Sequence, residues 1–271
     1  MCWAKKLAWG PAFFMGLMAL VGPAPARSQT DAAAAPPAAA VAGAESGSFA
    51  VRIDAPPDLA DLLQKHLELM RYRSLVDIDD VELDRLARAA EADARALLGT
   101  RGYFSATIDI QVRSAGSTPP GLRTVVVVVQ PGPVSRVRDV TLTFTGDLLA
   151  QPQAASRRRA LEEAWSLRTG MAFTQDGWDG AKAAALRQLG AQDFPLARIA
   201  DSRADIDPAV QTARLRVALD SGPAYRLGGL RIEGLQRFDP ALVERIARLR
   251  PGSAYDRAGL LEAQQRLQDS G

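Results

Sequence analysis

The chain has 271 residues, of which 47% are hydrophobic and 24% charged, so it can bury the cores of two or three domains. Its 33 basic and 31 acidic residues leave a net charge of +2, which gives no basic surplus of the kind that nucleic-acid binding needs. The single cysteine, Cys2, lies in the N-terminal leader, so the rest of the chain has no disulfide and no cysteine metal ligand.

The first 26 residues have the pattern of a cleavable secretion signal. Lys5 and Lys6 precede an apolar run from Leu7 to Val21, and Ala24-Pro25-Ala26 provides the small residues at which we predict cleavage. The alternative, an uncleaved anchor, is disfavoured because glycine and proline interrupt the run, which is shorter than the ~20 apolar residues that span a bilayer. Residues 27–47 are almost all Ala, Pro, Gly, Ser and Thr, which predicts a flexible tether.

The first predicted domain, residues 48–133, opens with a strand and two helices. Alternation at Phe49, Val51 and Ile53 indicates the strand, and a helix follows from Asp58. Asp79 is placed to cap a second helix, with Glu82 completing a capping box. The two apolar stripes are Leu59, Leu62, Leu63, His66, Leu67 and Met70, then Leu83, Leu86, Ala87, Ala90, Ala94, Leu97 and Leu98.

Two further strands complete this domain. Tyr103 to Arg113 alternates, with Ile108, Ile110 and Val112 on one face, and Val125 to Val129 is β-branched throughout. The predicted order is therefore strand, helix, helix, strand, strand, which is an α+β fold with a three-stranded sheet and both helices on one face.

The second predicted domain, residues 134–223, repeats this order. Its first strand is Val137 to Phe144, and its first helix is Ala155 to Leu167 with Leu161, Ala164 and Trp165 inward. The second helix carries Trp178, Ala181, Ala185 and Leu189 and stops at Gly190. The paired strands are Phe194 to Ile206 and Ala213 to Leu219.

The third predicted domain, residues 224–271, has a strand and two helices. The strand is Leu227 to Leu235. Asp239-Pro240 starts a helix with the apolar stripe Leu242, Ile246 and Leu249. Asp256 caps a last helix with the stripe Leu260, Gln264 and Leu267. We expect two closing strands to be missing, which would make the chain a fragment and leave this domain frayed.

Two spacings support a tandem repeat. Pro133 and Pro223, which follow matching strands, are 90 residues apart, and residues 167–173 match residues 249–255 at a spacing of 82.

No catalytic, metal or cofactor signature is found. His66 is isolated on a leucine stripe, which favours a packed residue, and Asp79-Asp80 and Asp205-Ile206-Asp207 have too few ligands for a calcium loop. Gly228-Gly229 lacks the strand-to-helix turn of a phosphate site. Arg157-Arg158-Arg159 is expected to face solvent, with contact to an acidic lipid or partner as the alternative.

An unpaired sheet edge is the remaining candidate site, because it can accept an extended peptide as an added strand. In the second domain Arg198, Asp201, Arg203 and Asp205 are expected to protect the outer strand from such pairing. The less protected candidate docking edge is Thr107, Ile108, Asp109, Ile110, Gln111 and Val112.

The chain resembles the polypeptide-transport-associated (POTRA) domains of outer-membrane assembly factors of the BamA/TamA superfamily. Its sequence motifs resemble those of the TamA-like members. Arg101-Gly102-Tyr103-Phe104, Phe194 to Ile199, Arg250-Pro251-Gly252 and Gln264 to Gly271 carry the resemblance. The resemblance covers nearly all of the chain beyond the tether. Each motif alone is weak evidence for the family, but the motifs together, in this order, are stronger evidence.

The resemblance implies a periplasmic arm joined to a C-terminal outer-membrane barrel that lies outside this sequence. It implies unfolded autotransporter or outer-membrane protein clients, a TamB-like partner anchored in the inner membrane, and no enzymatic activity. Three alternatives stay open: the arm of a two-partner secretion transporter, a division protein that keeps its N-terminal helix as an anchor, and a periplasmic enzyme.

Overall fold

The computed structural model describes residues 49–75, 77–113, 123–235 and 239–270. The predicted signal peptide, the tether and the loop before the valine strand lie outside the described residues.

The first unit forms its predicted elements with one extra turn of helix. They are β1 (Phe49–Asp54), α1 (Pro57–His66), α2 (Leu69–Tyr72), α3 (Asp80–Thr100), β2 (Thr107–Arg113) and β3 (Arg123–Gln130). The sheet order is β1-β3-β2, with β1 parallel and β2 antiparallel to β3. The valine strand is therefore central, and β2 lies at an edge of the sheet.

One core joins the helices to the sheet in this unit. Alanine and leucine residues at helical spacing form the buried face of α3, which packs against the core-facing residues of β2 and β3. This packing explains the helical spacing on α3 and the alternation on β2 in the sequence. The core includes Leu63, Leu83, Ala94, Leu98, Ile108, Val125 and Val127.

Two details of the first-unit helices differ from the prediction. His66 is exposed rather than packed, because α1 ends there and the short α2 buries Leu69 in a new direction. The Asp79 carboxylate caps α3 by accepting from the Glu82 N–H at 2.7 Å, but the Glu82 carboxylate accepts from Arg85 instead of completing the capping box.

The second unit repeats the architecture. Its elements are β4 (Arg136–Thr145), a 3₁₀ helix (Asp147–Ala150), α4 (Ala154–Ala164), α5 (Gln175–Leu189), β5 (Arg198–Asp207) and β6 (Thr212–Asp220). The sheet order is β4-β6-β5, again with the first strand parallel and the second antiparallel to the central one. The predicted α+β class and the order strand, helix, helix, strand, strand are confirmed in both units.

The boundaries of α4 and β5 were predicted less well. α4 ends at Ala164, which is exposed, because the backbone turns extended at Trp165 so that the indole can bury itself and donate to the Leu167 carbonyl at 3.0 Å. β5 starts at Arg198 rather than at Phe194, because Phe194 lies in a turn where its ring is fully buried.

The third unit contains α6 (Pro240–Ala247) and α7 (Arg257–Asp269), capped by Asp239 and Asp256 as predicted. The strand predicted at Leu227 to Leu235 is wrong: this backbone is irregular and Leu230 is 38% exposed. In the other units the first strand pairs with the unit's last strand, and the described residues after 226 contain no such strand to complete a ladder.

The same backbone clamp joins each unit to the next. At the first junction the Ser135 N–H donates to the Gly102 carbonyl at 2.9 Å, and the Phe173 N–H donates to the Ser135 carbonyl at 2.8 Å. The Arg136 guanidinium holds the Gly170 carbonyl at 2.9 Å. Gly102 has φ 90°, and a Cβ there would lie 2.2 Å from the Phe173 carbonyl oxygen, so only glycine fits.

At the second junction the corresponding residues make the same bonds. The Tyr225 N–H donates to the Asp193 carbonyl at 2.7 Å, the Tyr255 N–H donates to the Tyr225 carbonyl at 3.0 Å, and Arg226 holds the Gly252 carbonyl at 3.0 Å. Ser135 and Tyr225 are 90 residues apart, and Phe173 and Tyr255 are 82 apart. These are the two spacings found in the sequence, so the repeat extends to individual hydrogen bonds.

Candidate peptide-docking edges

The candidate docking strand, Thr107 to Val112, lies within β2 at an edge of the first sheet. Its pairing with β3 runs without interruption from Thr107 opposite Gln130 to Arg113 opposite Thr124. A regular edge strand points the N–H and C=O of every second residue away from its sheet, and these groups can pair with another strand.

Side chains on β2 are sorted between its two faces. Ile108, Ile110 and Val112 turn toward the core, while the alternate residues, including Thr107 and Asp109, are exposed. On the exposed face Gln111 donates to Asp109 at 2.6 Å, and Arg113 donates to Gln111 at 2.9 Å. These bonds join side chain to side chain along the strand, so they leave the backbone of the edge accessible.

The corresponding strand of the second unit, β5, is built differently. Its register shifts between Ile199 and Asp201, and such irregularities bend an edge away from a partner strand. Arg203 and Arg216 both bind the Asp205 carboxylate, so β5 carries paired charges on its exposed face, and one of these pairs reaches the central strand β6.

Hydrogen bonds lower the pKa of two carboxyl groups, one on β5 and one on the neighbouring strand β6. Hydrogen bonds from Arg203 and then Arg216 lower the pKa of Asp205. The Gly222 N–H, and after it Arg198 at 2.7 Å, lowers the pKa of Asp220 opposite the start of β5. Both carboxylates are therefore fully charged at neutral pH, as expected for a protected edge.

A third edge belongs to β4, the outer strand on the other side of the second sheet. A groove of about 650 Å³ separates it from α4 and is lined by Val140, Thr141, Leu142, Glu162, Glu163, Trp165, Arg168 and Thr169. The sequence signal that could have revealed it is the uncharged run Val140 to Thr145, which is unusual for an edge strand.

The remaining candidate residues do not come together into a site. Within the described residues no group of three or more His, Cys, Asp or Glu side chains is placed to hold a metal ion. We predicted that Arg157 faces solvent, but its guanidinium pairs with Asp193 at 2.7 Å and lies 5.7 Å from the centre of the Phe194 ring. It therefore supports the turn before β5.

Solved structures similar to this chain include POTRA domains. POTRA domains 3–5 of Haemophilus influenzae BamA match at 18% identity and a TM-score of 0.43, over 83% of this chain and 86% of that one. The N-terminal domain of Omp85 from Thermosynechococcus elongatus matches at 16% identity and a TM-score of 0.33, over 82% and 84%. CdiB from Escherichia coli matches at 10% and 0.29, over 68% of this chain and 29% of CdiB.

No protein-family model and no curated protein matches the sequence. The tandem architecture of strand-helix-helix-strand-strand units rests on the element order, strand order and repeated clamp described above. Among the described residues, no helix combines the length and the apolar character needed to cross a bilayer.

Proposed function

We propose that this chain is the periplasmic POTRA arm of a TamA-like subunit of an outer-membrane translocation and assembly module. In this proposal β2 is a docking strand for unfolded autotransporter and outer-membrane protein clients, and the arm also contacts a TamB-like partner anchored in the inner membrane. The observation that carries it is the regular, accessible edge of β2 in a tandem array of strand-helix-helix-strand-strand units.

The physical reason is the match between an open edge and an unfolded β-rich client. Segments of transmembrane barrels alternate apolar and polar residues over ~10 positions, and before insertion their backbone groups are unpaired. Adding such a segment beside β2 would pair both backbones without requiring one particular side-chain sequence. A docking strand of this kind suits an assembly factor that serves several clients and performs no chemistry.

The proposed location also follows from this role. We propose that residues 1–26 direct export and are removed, so that the arm works in the periplasm and reaches the outer membrane through a barrel beyond this sequence. N-terminal sequencing of the exported protein should begin at Arg27. A mature protein that begins at Met1 would instead favour the membrane-anchored alternative.

Site-specific photo-crosslinking in cells tests the docking strand. A photoreactive residue replaces Gln111 on β2, and the matched control replaces Ser202, which lies on β5. The proposal expects Gln111 to capture outer-membrane protein precursors and an inner-membrane-anchored partner, with far less capture at Ser202. Equal capture at both positions would contradict the role of β2, and capture of one dedicated secreted substrate alone would favour a two-partner secretion transporter.

A further inference from the structure

A recess of about 370 Å³ lies where the chain turns from α1 into α2. This volume is at the lower end of the range for pockets that bind small ligands. Its lining includes Gln64, Lys65, His66, Met70, Arg71 and Arg73. Three of these side chains carry a fixed positive charge, and no described residue that lines the recess carries a carboxylate.

This local excess of positive charge differs from the pattern on other helices. Several basic groups there pair with a carboxylate one turn away, as Arg95 does with Glu91 at 2.9 Å. Within the part of the chain that the structure describes, neither the Lys65 ammonium nor the Arg71 guanidinium has a hydrogen-bond or ionic partner. Asp61, one turn before Lys65 on α1, does not pair with it. The two cations are therefore available to an external anion.

The acidic side chains that follow α1 or face it from α3 are engaged away from the recess. The Asp93 carboxylate on α3 accepts from the Glu68 N–H at 2.7 Å. The pKa of Arg85 on α3 is raised by Glu82 and, to a smaller extent, by Glu68. The Glu68 carboxylate thus acts on α3, and it is not part of the lining. The positive charge of the recess is not balanced from this side.

The end of α1 explains only part of the charge. Lys65 and His66 lie in the last turn of α1, where basic groups complement the helix dipole. Arg71 and Arg73 reach the same recess from beyond Leu67, the residue that ends the helix. Two separate segments therefore bring basic side chains to one place, which the needs of a single helix end do not require.

The donors of the recess match a phosphate group better than a carboxylate. A phosphate carries up to about two negative charges and three strong acceptor oxygens, whereas a carboxylate has one charge and two oxygens. Arginine binds phosphate through two parallel N–H groups, and lysine adds a point charge. The Gln64 amide and the His66 imidazole supply neutral donors beside these cations. Together they exceed what one carboxylate can accept.

We propose that the recess at the α1–α2 turn binds a phosphate group, with Lys65 and Arg71 as its principal cations and the Gln64 amide as a neutral donor. Soluble phosphate esters and membrane-lipid headgroups both present such a group. The site is built from helix ends and not from a strand edge, so it does not depend on the docking role proposed for β2.

The first test titrates the isotope-labelled full chain with inorganic phosphate and records amide spectra. Acetate at the same ionic strength is the carboxylate control. The largest shifts with phosphate are expected at residues 64–73, together with the side-chain amide of Gln64. Acetate should bind at least about threefold more weakly, because it offers one charge fewer to exposed cations.

Single substitutions identify the groups that hold the phosphate. Arg71→Gln and Lys65→Gln each remove one charge from an exposed side chain and should weaken phosphate binding by about fivefold. Gln64→Glu keeps every cation but adds a carboxylate to the lining, so it should weaken binding to a similar extent. Arg159→Gln is the matched control, because it makes the same change on α4 at an exposed arginine that pairs with Glu163. It should leave phosphate binding unchanged.

Vesicle sedimentation distinguishes the two sources of phosphate. Vesicles of equal parts phosphatidylglycerol and phosphatidylcholine are compared with vesicles of phosphatidylcholine alone. A lipid source predicts binding to the anionic vesicles, and the double variant Lys65→Gln, Arg71→Gln should bind them about thirtyfold more weakly. Binding of inorganic phosphate without binding to vesicles assigns the site to a soluble phosphate ester. Both results support a phosphate site in the recess.

Three results would overturn the proposal. The first is that residues 64–73 show no shift with phosphate and the chain does not bind anionic vesicles. The second is acetate binding as tightly as phosphate, which would favour an acidic peptide as the ligand. The third is an equal loss in Arg159→Gln, which would reveal only a general effect of charge. The substituted side chains are exposed, so the variants are expected to fold.

Discussion

β2 and β5 occupy the same place in their two units, yet they present different edges. Each is the antiparallel outer strand of a three-stranded sheet. β2 pairs in an unbroken register and keeps its polar side chains bonded to one another along one face. β5 has a register shift and carries Asp205 between two arginines.

The fold creates the same outer edge in both units, while the backbone register and the side chains differ between the two copies. An unprotected edge is a liability in a soluble domain, because it invites pairing with any exposed strand. Under the function proposed above, a repeat that protects one copy of the strand and leaves the other regular would separate a structural unit from a binding unit. This separation makes the comparison testable by substitutions that change one edge at a time.

The largest expected effect comes from breaking the junction that holds the two sheets together. Gly102→Ala places a Cβ 2.2 Å from the Phe173 carbonyl oxygen and imposes a positive φ on alanine. We expect a loss of at least about 2 kcal/mol in the free energy of unfolding of the first junction. Thermal unfolding followed by calorimetry should then show two separated transitions.

The matched control for the junction is Gly180→Ala on α5, where a Cβ meets nothing within 4 Å and alanine favours the helix. This variant should be at least as stable as the unchanged protein. Equal destabilisation by both substitutions would show that the clamp does not couple the units.

The next largest effect is expected from placing a charge on β2. Gln111→Lys puts an ammonium group on the exposed face of β2, beside an approaching strand, and should weaken binding of an uncharged alternating peptide to β2 by about tenfold. Ser202→Lys makes the same change on β5 and should leave peptide binding unaffected. Isothermal titration with both variants measures the contrast, and equal losses would remove the distinction between the edges.

Removing two charges from β5 should produce a smaller change in the opposite direction. Replacing Arg203 and Asp205 with threonine leaves the stretch Ser202 to Ile206 uncharged and β-forming, although the register shift remains. We expect measurable self-association or peptide binding at β5, a gain of about fivefold over the unchanged protein. Sedimentation velocity checks this, and a variant that stays monomeric and binds no peptide would assign the protection to the register shift alone.

The smallest effect is a dependence on acid pH. The pKa of Asp205 is lowered by Arg203 and Arg216, so its contribution to stability is complete above the ordinary aspartate pKa of about 3.9 and is lost as the pH falls through the lowered value. Unfolding measured between pH 7 and pH 3 should lose stability only below about pH 4. Asp205→Asn should have a flatter profile there, and an unchanged profile would contradict the role of this carboxylate.

Sequence patterns predicted the elements whose causes are local. The stripe Trp178, Ala181, Ala185 and Leu189 has helical spacing, and all four residues are buried on α5. Asp239-Pro240 starts α6 because an Asp cap followed by proline favours a helix wherever it stands. The six residues of the candidate docking edge lie in β2 for a similar reason. Their alternating apolar and polar side chains fit a strand that packs one face against a core.

The failures concern features that depend on distant residues. Leu227 to Leu235 has the composition of a strand, but a strand needs a partner, and composition does not show whether one is present. β5 starts late because Asp193, at φ 61°, is held by Tyr225 and Tyr255 of the next unit. The inward position of Arg157 likewise depends on Asp193, 36 residues further along the chain.

Hydrogen exchange of the backbone amides in the full chain tests whether β2, and not β5, is the docking strand. The measurement is made with and without an uncharged alternating peptide, and it compares β2 with β5 in the same sample. We predict that alternate amides of β2 exchange rapidly in the free protein and become protected with the peptide, while the amides of β5 do not change. Protection gained equally on both strands, or on neither, would contradict it.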